Sequence, residues 1–390
     1  MSTVVTYDPF AHELHDDPYP VYRILRDEHP AYFVEQHGFW VLSRYDDVRA
    51  ALRDWQSFSS AGGNVVDDPP ERVGRTLGTT DPPRHDELKA IVNTAFTVKR
   101  VNTLEAVMRP YVQELLATCR DRASFDVVGD LSAPFTSRVM GDLLGIPRED
   151  HDQMKAWRNA MVHRDPSRMG FTADGEAAFK ALLEYTLRLV RARKAARGED
   201  LISDLVAAEA GGVRLSDDEI AVTSLTVLGA GFQSMNYLVS NAVHALALHP
   251  DARREIAKDP ALVAPAIEEV LRWDSAAQGF ARTLTGDREM HGRLLGAGQR
   301  VLLLLGSANR DDRVFQHPDT FDIHRGQVRH LAFGMGTHFC LGASLGRLAG
   351  RIAIEELLAA VPDHAIDPSS ISRIHSPTFR GFARLVVHRT

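Results

Sequence analysis

Cysteine is scarce in this sequence, which has only Cys119 and Cys340 among its 390 residues. Two cysteines are too few for a disulfide framework and fit a protein of the reducing cytoplasm. Residues 1–13 have neither a basic start nor an apolar stretch, so a secretory signal is not expected. A conspicuous cysteine therefore needs a chemical explanation.

Long apolar runs, blocks of one charge and flexible linkers are lacking as well. The most apolar region, residues 225–248, contains Gln233, Asn236, Asn241 and His244, which predicts a buried helix rather than a membrane span. The net charge of −7, without a concentrated Lys/Arg block, argues against nucleic-acid or membrane partners. Because no Gly/Ser-rich or Pro-rich linker divides the chain, one domain over residues 1–390 is predicted.

The hydrophobic pattern predicts a mainly α fold with small peripheral β-sheets. Apolar residues recur at spacings of three and four, the period of a helix, in residues 101–120, 176–196, 217–249 and 345–361. Shorter β-type runs occupy residues 31–43, 282–290, 300–305 and 382–388. Two irregular segments, residues 59–80 and 163–175, are predicted loops, either plain surface connections or parts of a substrate entrance.

One cysteine lies in a glycine-rich loop just before a helical pattern. Residues 333–342 have the sequence Phe-Gly-Met-Gly-Thr-His-Phe-Cys-Leu-Gly. Free amides and the dipole at a helix start favour an anion, so Cys340 is expected to be biased toward the iron-binding thiolate. Phe333 can shield the sulfur, and three glycines let the backbone turn and approach a flat cofactor: Gly334, Gly336 and Gly342. Taken alone, such a cysteine also fits a structural thiol.

The complete loop resembles the haem-binding signature of the cytochrome P450 family, Phe-Gly-x-Gly-x-His-x-Cys-x-Gly. The resemblance implies the cytochrome P450 fold, an α-rich prism around buried haem b. It makes Cys340 the proximal iron ligand, with Phe333, Gly334 and Gly342 at the haem. In that family the thiolate pushes electron density toward the iron. Similar segments run from about Asp17 to Val387, which implies a single domain without a fused reductase.

Two further motifs carry the resemblance. Glu269 and Arg272 share one helix face, and such a pair alone is usually an exposed ion pair. Together with Arg325 they resemble the family's buried Glu-Arg-Arg cluster, which implies structural support of the haem face.

Four basic residues match the positions that the family uses to bind haem propionates, and their chemistry suits carboxylates: His85, Lys89, Arg282 and His338. His85 and Lys89 are four apart on a helix predicted to begin after Pro82 and Pro83. Bacterial members more often have Arg where Lys89 stands, and Lys keeps the charge without the planar fork. By itself, Arg282 also fits a solvated charge on a strand.

The central helix departs from the family pattern. The family usually carries an acid followed by Thr, which help to deliver protons during oxygen activation, where this chain has Gln233 and Ser234. Gln can orient water but cannot titrate, whereas Ser keeps the hydroxyl. Three routes stay open: water held by Ser234, a group of the substrate, or chemistry that tolerates a weaker relay. Both residues also fit buried polar positions in a kinked helix.

The resemblance implies a haem-thiolate monooxygenase that inserts one oxygen atom from O₂ into a small or medium apolar molecule, by hydroxylation or O-dealkylation. Electrons are expected from a separate ferredoxin or flavodoxin and its NAD(P)H-dependent reductase. Alternatives are a peroxide-driven or nitric-oxide-reducing haem-thiolate enzyme, or a haem-binding protein without turnover. Candidate pocket walls, besides parts of the two irregular loops, are Phe232, Gln278 and Phe280.

Overall fold

The computed structural model describes residues 6–68, 72–162, 172–326 and 328–390. Over these residues the α-helices are α1 (His12–Asp16), α2 (Tyr19–Glu28), α3 (Tyr45–Arg53), α4 (Arg84–Ala95), α5 (Val98–Thr103), α6 (Glu105–Thr118), α7 (Ala133–Leu144), α8 (His151–Val162), α9 (Ala173–Ala195), α10 (Leu201–Ala207), α11 (Asp217–Leu248), α12 (Pro250–Lys258), α13 (Val263–Trp273), α14 (Leu305–Ala308) and α15 (Ala343–Ala360). The strands are β1 (Ala31–Val34), β2 (Phe39–Leu42), β3 (Phe58–Ser59), β4 (Ser124–Asp126), β5 (Gly279–Leu284), β6 (Arg288–Met290), β7 (Arg293–Leu295), β8 (Arg300–Leu304), β9 (His364–Ile366), β10 (Ser372–Arg373), β11 (Phe382–Arg384) and β12 (Val386–Arg389).

The α-rich architecture agrees with the periodicity, and α9, α11 and α15 lie close to their predicted bounds. The prediction of one helix over residues 101–120 is wrong. The helix is interrupted at Leu104, whose amide donates to the Val101 carbonyl at 3.0 Å. This i to i+3 hydrogen bond tightens the turn, so α5 ends before α6 begins. Of the irregular segments, residues 69–71 and 163–171 lie outside the described residues.

The largest sheet separates two apolar clusters. Its five strands have the order β1-β2-β8-β5-β3, with β2 and β8 parallel and the other neighbours antiparallel. Val301 and Leu303 face one cluster, while Leu302 and Leu304 face the other. Because both faces are covered, residues 301–304 of β8 are all apolar.

The longest helix, α11, passes through the main core. Its start is fixed by a capping box, in which Ser216 Oγ accepts from the Glu219 amide and the Glu219 carboxylate accepts from the Ser216 amide. Residues 235–246 are all buried, as predicted for this apolar region. Gly350 of α15 packs closely against Leu238, so these two helices form the centre of the core.

Candidate functional site

The cysteine loop is folded by its glycines. Gly334 and Gly336 have φ values of +66° and +71°, which side chains rarely adopt. A Cβ on Gly336 would also lie 2.8 Å from the Leu52 carbonyl oxygen of α3. The Cys340 amide donates to the Phe333 carbonyl at 2.9 Å and closes the loop directly before α15.

Cys340 faces an opening in the fold. The residue is exposed, whereas Cys119 is buried, and both thiols are free. Surrounding protein atoms desolvate the Cys340 thiol and raise its pKa, although the Gly342 amide and the charges of Arg347 and Lys89 oppose that shift. The Gly342 amide thus acts in the expected direction, toward thiolate, and desolvation opposes it. A bound metal cation would supply the positive charge that stabilises the Cys340 thiolate.

The other loop residues surround this opening. The Phe333 ring lies under the Arg347 guanidinium, whose Cζ is 4.5 Å from the ring centroid. A Cβ built on Gly342 would meet no atom within 4 Å. Open space beside Gly342 leaves room for a flat group against the start of α15.

Four basic side chains from three parts of the chain meet beside the cysteine loop. We call them the anchor cluster: His85 and Lys89 of α4, Arg282 of β5, and His338 of the loop. The rings of His85 and His338 pack edge to face with centroids 4.4 Å apart. Lys89 Nζ donates to the Thr337 carbonyl, so α4 is tied to the loop. Arg282 is buried, contrary to a solvated strand charge.

The anchor cluster is largely buried and incompletely hydrogen-bonded. Arg282 Nη1 donates to its neighbour Ala281 at 2.7 Å, and His338 Nε2 is buried without a hydrogen-bond partner among the described residues. Desolvation, with the charges of Arg282, His85 and Lys89, lowers the pKa of His338 to about 3. Desolvation also lowers the pKa of Arg282 to about 10. Anionic groups would satisfy these donors, so the site fits the two propionates of a haem.

The middle of α11 carries the residues that replace the usual acid and Thr. Gln233 and Ser234 are half-buried, and the preceding Ala230 is exposed in the middle of the helix. Ser234 Oγ donates to the Ala230 carbonyl at 2.7 Å. This back-bond uses the hydroxyl proton and leaves the oxygen lone pairs as acceptors.

The three candidate pocket-wall residues lie in different surroundings. Phe232 is buried in the helical core, and Phe280 packs against the apolar cluster of the large sheet. Gln278 donates to the Ser275 carbonyl at 2.8 Å, and it lines a cavity of about 20 Å³ together with Tyr7 and Phe379. The three side chains belong to different packing environments, and their place in one pocket wall stays a prediction.

Glu269 lies at the centre of a buried ion cluster. Arg272 donates to both carboxylate oxygens, at 2.6 and 2.8 Å, and Arg325 Nε lies 3.1 Å from Glu269 Oε1. The other Arg272 nitrogen donates to the carbonyls of Asn309 and Pro318. The cluster thus holds α13 against the segments that lead to the cysteine loop.

Sequence reasoning did not single out Asp81, although the structure places it at the anchor cluster. Asp81 Oδ1 lies 3.9 Å from His338 Nε2. Its position just before two prolines and His85 was the available signal, but a carboxylate is not an obvious part of an anion site.

The comparisons with known proteins agree with this geometry. The family model described as Cytochrome P450 matches residues 11–360. The chain is 37% identical over 347 residues to Steroid C26-monooxygenase of Mycobacterium tuberculosis, covering 88% of this chain and 85% of the relative. It is 36% identical over 375 residues to Cytochrome P450 130 of the same organism, covering 91% of each.

A solved structure extends the agreement to the whole fold. Cytochrome P450 CYP109Q5 from Chondromyces apiculatus superposes with a TM-score of 0.92 at 33% identity, covering 98% of each chain. In the described ranges of this chain, no helix combines the length and apolar character needed to cross a bilayer. The chain belongs to the cytochrome P450 family, with its fold, its haem b cofactor and its monooxygenase chemistry.

Proposed function

We propose that this protein inserts one oxygen atom from O₂ into a small or medium apolar molecule, by hydroxylation or O-dealkylation. The observation that carries the proposal is the exposed Cys340 beside four basic side chains, of which His338 has a buried ring nitrogen without a partner among the described residues. Haem b, when bound, supplies the oxygen-activating chemistry. The protein binds the cofactor, orients it and moves protons.

Each residue of the site has a role in this proposal. Cys340 would bind the haem iron and Phe333 would shield its sulfur, while Gly334 turns the loop and Gly342 leaves open space for the cofactor. The anchor cluster binds the two propionates, because buried cations and imidazoles bind carboxylates well when water is excluded. Glu269, Arg272 and Arg325 hold the supporting face.

Proton delivery is assigned to Gln233 and Ser234. The Ser234 hydroxyl donates to its own helix, so its oxygen accepts a hydrogen bond from a water. Gln233 orients that water without titrating. A water chain held by these two residues replaces the usual carboxylic acid.

Electrons come from a separate protein in this proposal. The cytochrome P450 match covers residues 11–360 and so accounts for most of the given sequence. A ferredoxin or flavodoxin, reduced by an NAD(P)H-dependent partner, is the donor we propose. Two free cysteines suit action in the reducing cytoplasm.

The likeness to a steroid monooxygenase makes steroids the first substrate class to test. The ferric protein should be titrated with steroids and with linear fatty acids. The class that binds should shift the haem absorption from the low-spin to the high-spin position. Reconstitution with a ferredoxin, its reductase, NADH and ¹⁸O₂ should then place one ¹⁸O in the product.

Two control reactions separate the alternatives. Product formed only with added peroxide would favour the peroxide-driven enzyme. Consumption of nitric oxide with NADH alone, without a ferredoxin, would favour the nitric-oxide reductase. Ferrous protein that does not react with O₂ in stopped flow would contradict the monooxygenase proposal and favour a binding protein.

A further inference from the structure

Asp81 connects the separate elements that build the anchor cluster. Its Oδ2 accepts from Ser59 Oγ at 2.5 Å and its Oδ1 accepts from the Ser60 amide at 2.9 Å. Its backbone carbonyl accepts from the His85 amide at 2.9 Å, in the turn that starts α4. One residue therefore contacts both the end of β3 and the beginning of α4.

The strand pairing carries this connection to Arg282. Ser59 of β3 pairs with Thr283 of β5, the residue that follows Arg282. His85 and Lys89 extend from the first turns of α4, on the other side of the Asp81 contact. Asp81 thus links the strand edge that carries Arg282 to the turn that begins α4.

We propose, on the basis of the proposed haem site, that Asp81 is the positioning residue that fixes α4 to the β3–β5 edge and sets the spacing of the propionate anchors. The Asp81 carboxylate lies beside the imidazoles of His85 and His338, and its charge stabilises the buried Arg282 cation. Asp81 is also held in its orientation by the two hydrogen bonds from Ser59 and Ser60. Its negative charge would favour the oxidised state of a haem held by these anchors.

The chain offers a matched control for this residue. Asp86 lies on the first turn of α4 and also contacts His85, with Oδ1 3.0 Å from Nδ1. Its side chain is 67% exposed, compared with 18% for Asp81, and no described contact joins it to β3. Substitution of Asp86 removes the same charge near the same histidine without cutting the connection.

The first experiment measures transfer of haem from the holoprotein to apomyoglobin. Asp81→Ala removes two hydrogen bonds to a charged acceptor, so transfer should be roughly tenfold faster than in the wild type, while Asp86→Ala should differ little. Asp81→Asn keeps an oxygen for the Ser60 amide and should rescue most of the retention. Equal rates for the two alanine variants, or no rescue by Asn, would overturn the inference.

A second experiment measures the midpoint potential of the haem, which tests the charge of Asp81. A purely structural role of Asp81 would not change this potential. The midpoint potential of Asp81→Asn should be more positive than that of the wild type and of Asp86→Asn. An unchanged potential would overturn the electrostatic part. Where Asp81→Ala yields too little holoprotein, Ser59→Ala removes one of the same hydrogen bonds, and its haem transfer should be roughly threefold faster.

Variants of the anchors separate this inference from the proposed site. His85→Ala and Arg282→Ala should both release haem faster than the wild type. If they do so and Asp81→Ala does not, only the role of Asp81 is wrong. If none of the three releases haem faster, the proposed propionate site itself is wrong.

Discussion

Arg272 and Glu269 form a doubly hydrogen-bonded ion pair across one turn of α13, and their side chains are 0% and 1% exposed. The pair is joined by Arg325, which comes from a segment more than fifty residues later. Full burial decides how such a pair behaves, because a charge left without its partner in the interior is costly.

Removal of either partner should therefore leave little soluble holoprotein. Glu269→Ala or Arg272→Ala strands a buried charge and should cost roughly 3–5 kcal/mol, a large part of a typical domain's stability. The haem content of purified protein and the free energy of unfolding in urea measure the effect. Arg254→Ala is the control, since Arg254 and Asp251 have the same spacing at an exposed position and should contribute under about 0.5 kcal/mol. Normal haem content in both buried variants would contradict the prediction.

The ligand assignment predicts a spectroscopic difference between the two cysteines. The reduced carbon-monoxide complex of the wild type should absorb at the thiolate-specific position, well to the red of a histidine-ligated haem. Cys340→Ser should lose this band because a hydroxyl replaces the sulfur ligand. Cys119→Ser changes a buried thiol beside Arg122 and should keep the band. The opposite pattern would show that the ligand is Cys119.

Proton delivery can be tested at Ser234. Ser234→Ala removes the hydroxyl that holds water, so NADH consumption should continue while more of it ends as hydrogen peroxide and less as product. Ser224→Ala is a matched control, because Ser224 makes the same back-bond to Ile220 on the same helix but is buried. Gln233→Glu should improve coupling if the missing acid limits the relay. Unchanged coupling in Ser234→Ala would leave ordered water or the substrate as the proton source.

The Glu268 carboxyl is expected to cause part of the protein's loss of stability in acid. Burial raises its pKa, but hydrogen bonds from His330 and Arg347 outweigh burial and lower the pKa to about 2. A carboxyl whose pKa is lower in the folded state stabilises the fold above its unfolded value of about 4.3, and this contribution is lost as the pH falls toward 2.

Glu268→Gln should accordingly flatten the pH dependence of unfolding between about pH 5 and pH 2. Urea unfolding followed by tryptophan fluorescence at several pH values measures this slope. Glu114→Gln alters an exposed carboxylate paired with Arg138 and should keep the wild-type slope. An identical slope for Glu268→Gln and wild type would exclude this carboxyl as a source of acid sensitivity.

The local sequence pattern was sufficient to predict features that lie within one continuous segment of the chain. The helical period placed α9, α11 and α15, and the spacing of Glu269 and Arg272 put them on one face of α13. The loop around Cys340 indicated the family because all its spacings, within ten residues, match the family's haem-binding signature. These features depend on backbone geometry over a few turns, which the sequence encodes directly.

The tertiary structure decided which segments meet. Burial separates the Glu269 pair from an exposed ion pair, and only packing determines burial. The meeting of Asp81 with Ser59 and His338 depends on how α4, β3 and the cysteine loop are arranged. Desolvation of Cys340 likewise results from surrounding segments and opposes what the helix start alone favours. Periodicity carries no information on such distant contacts, because it specifies which face of an element is apolar but not which element covers it.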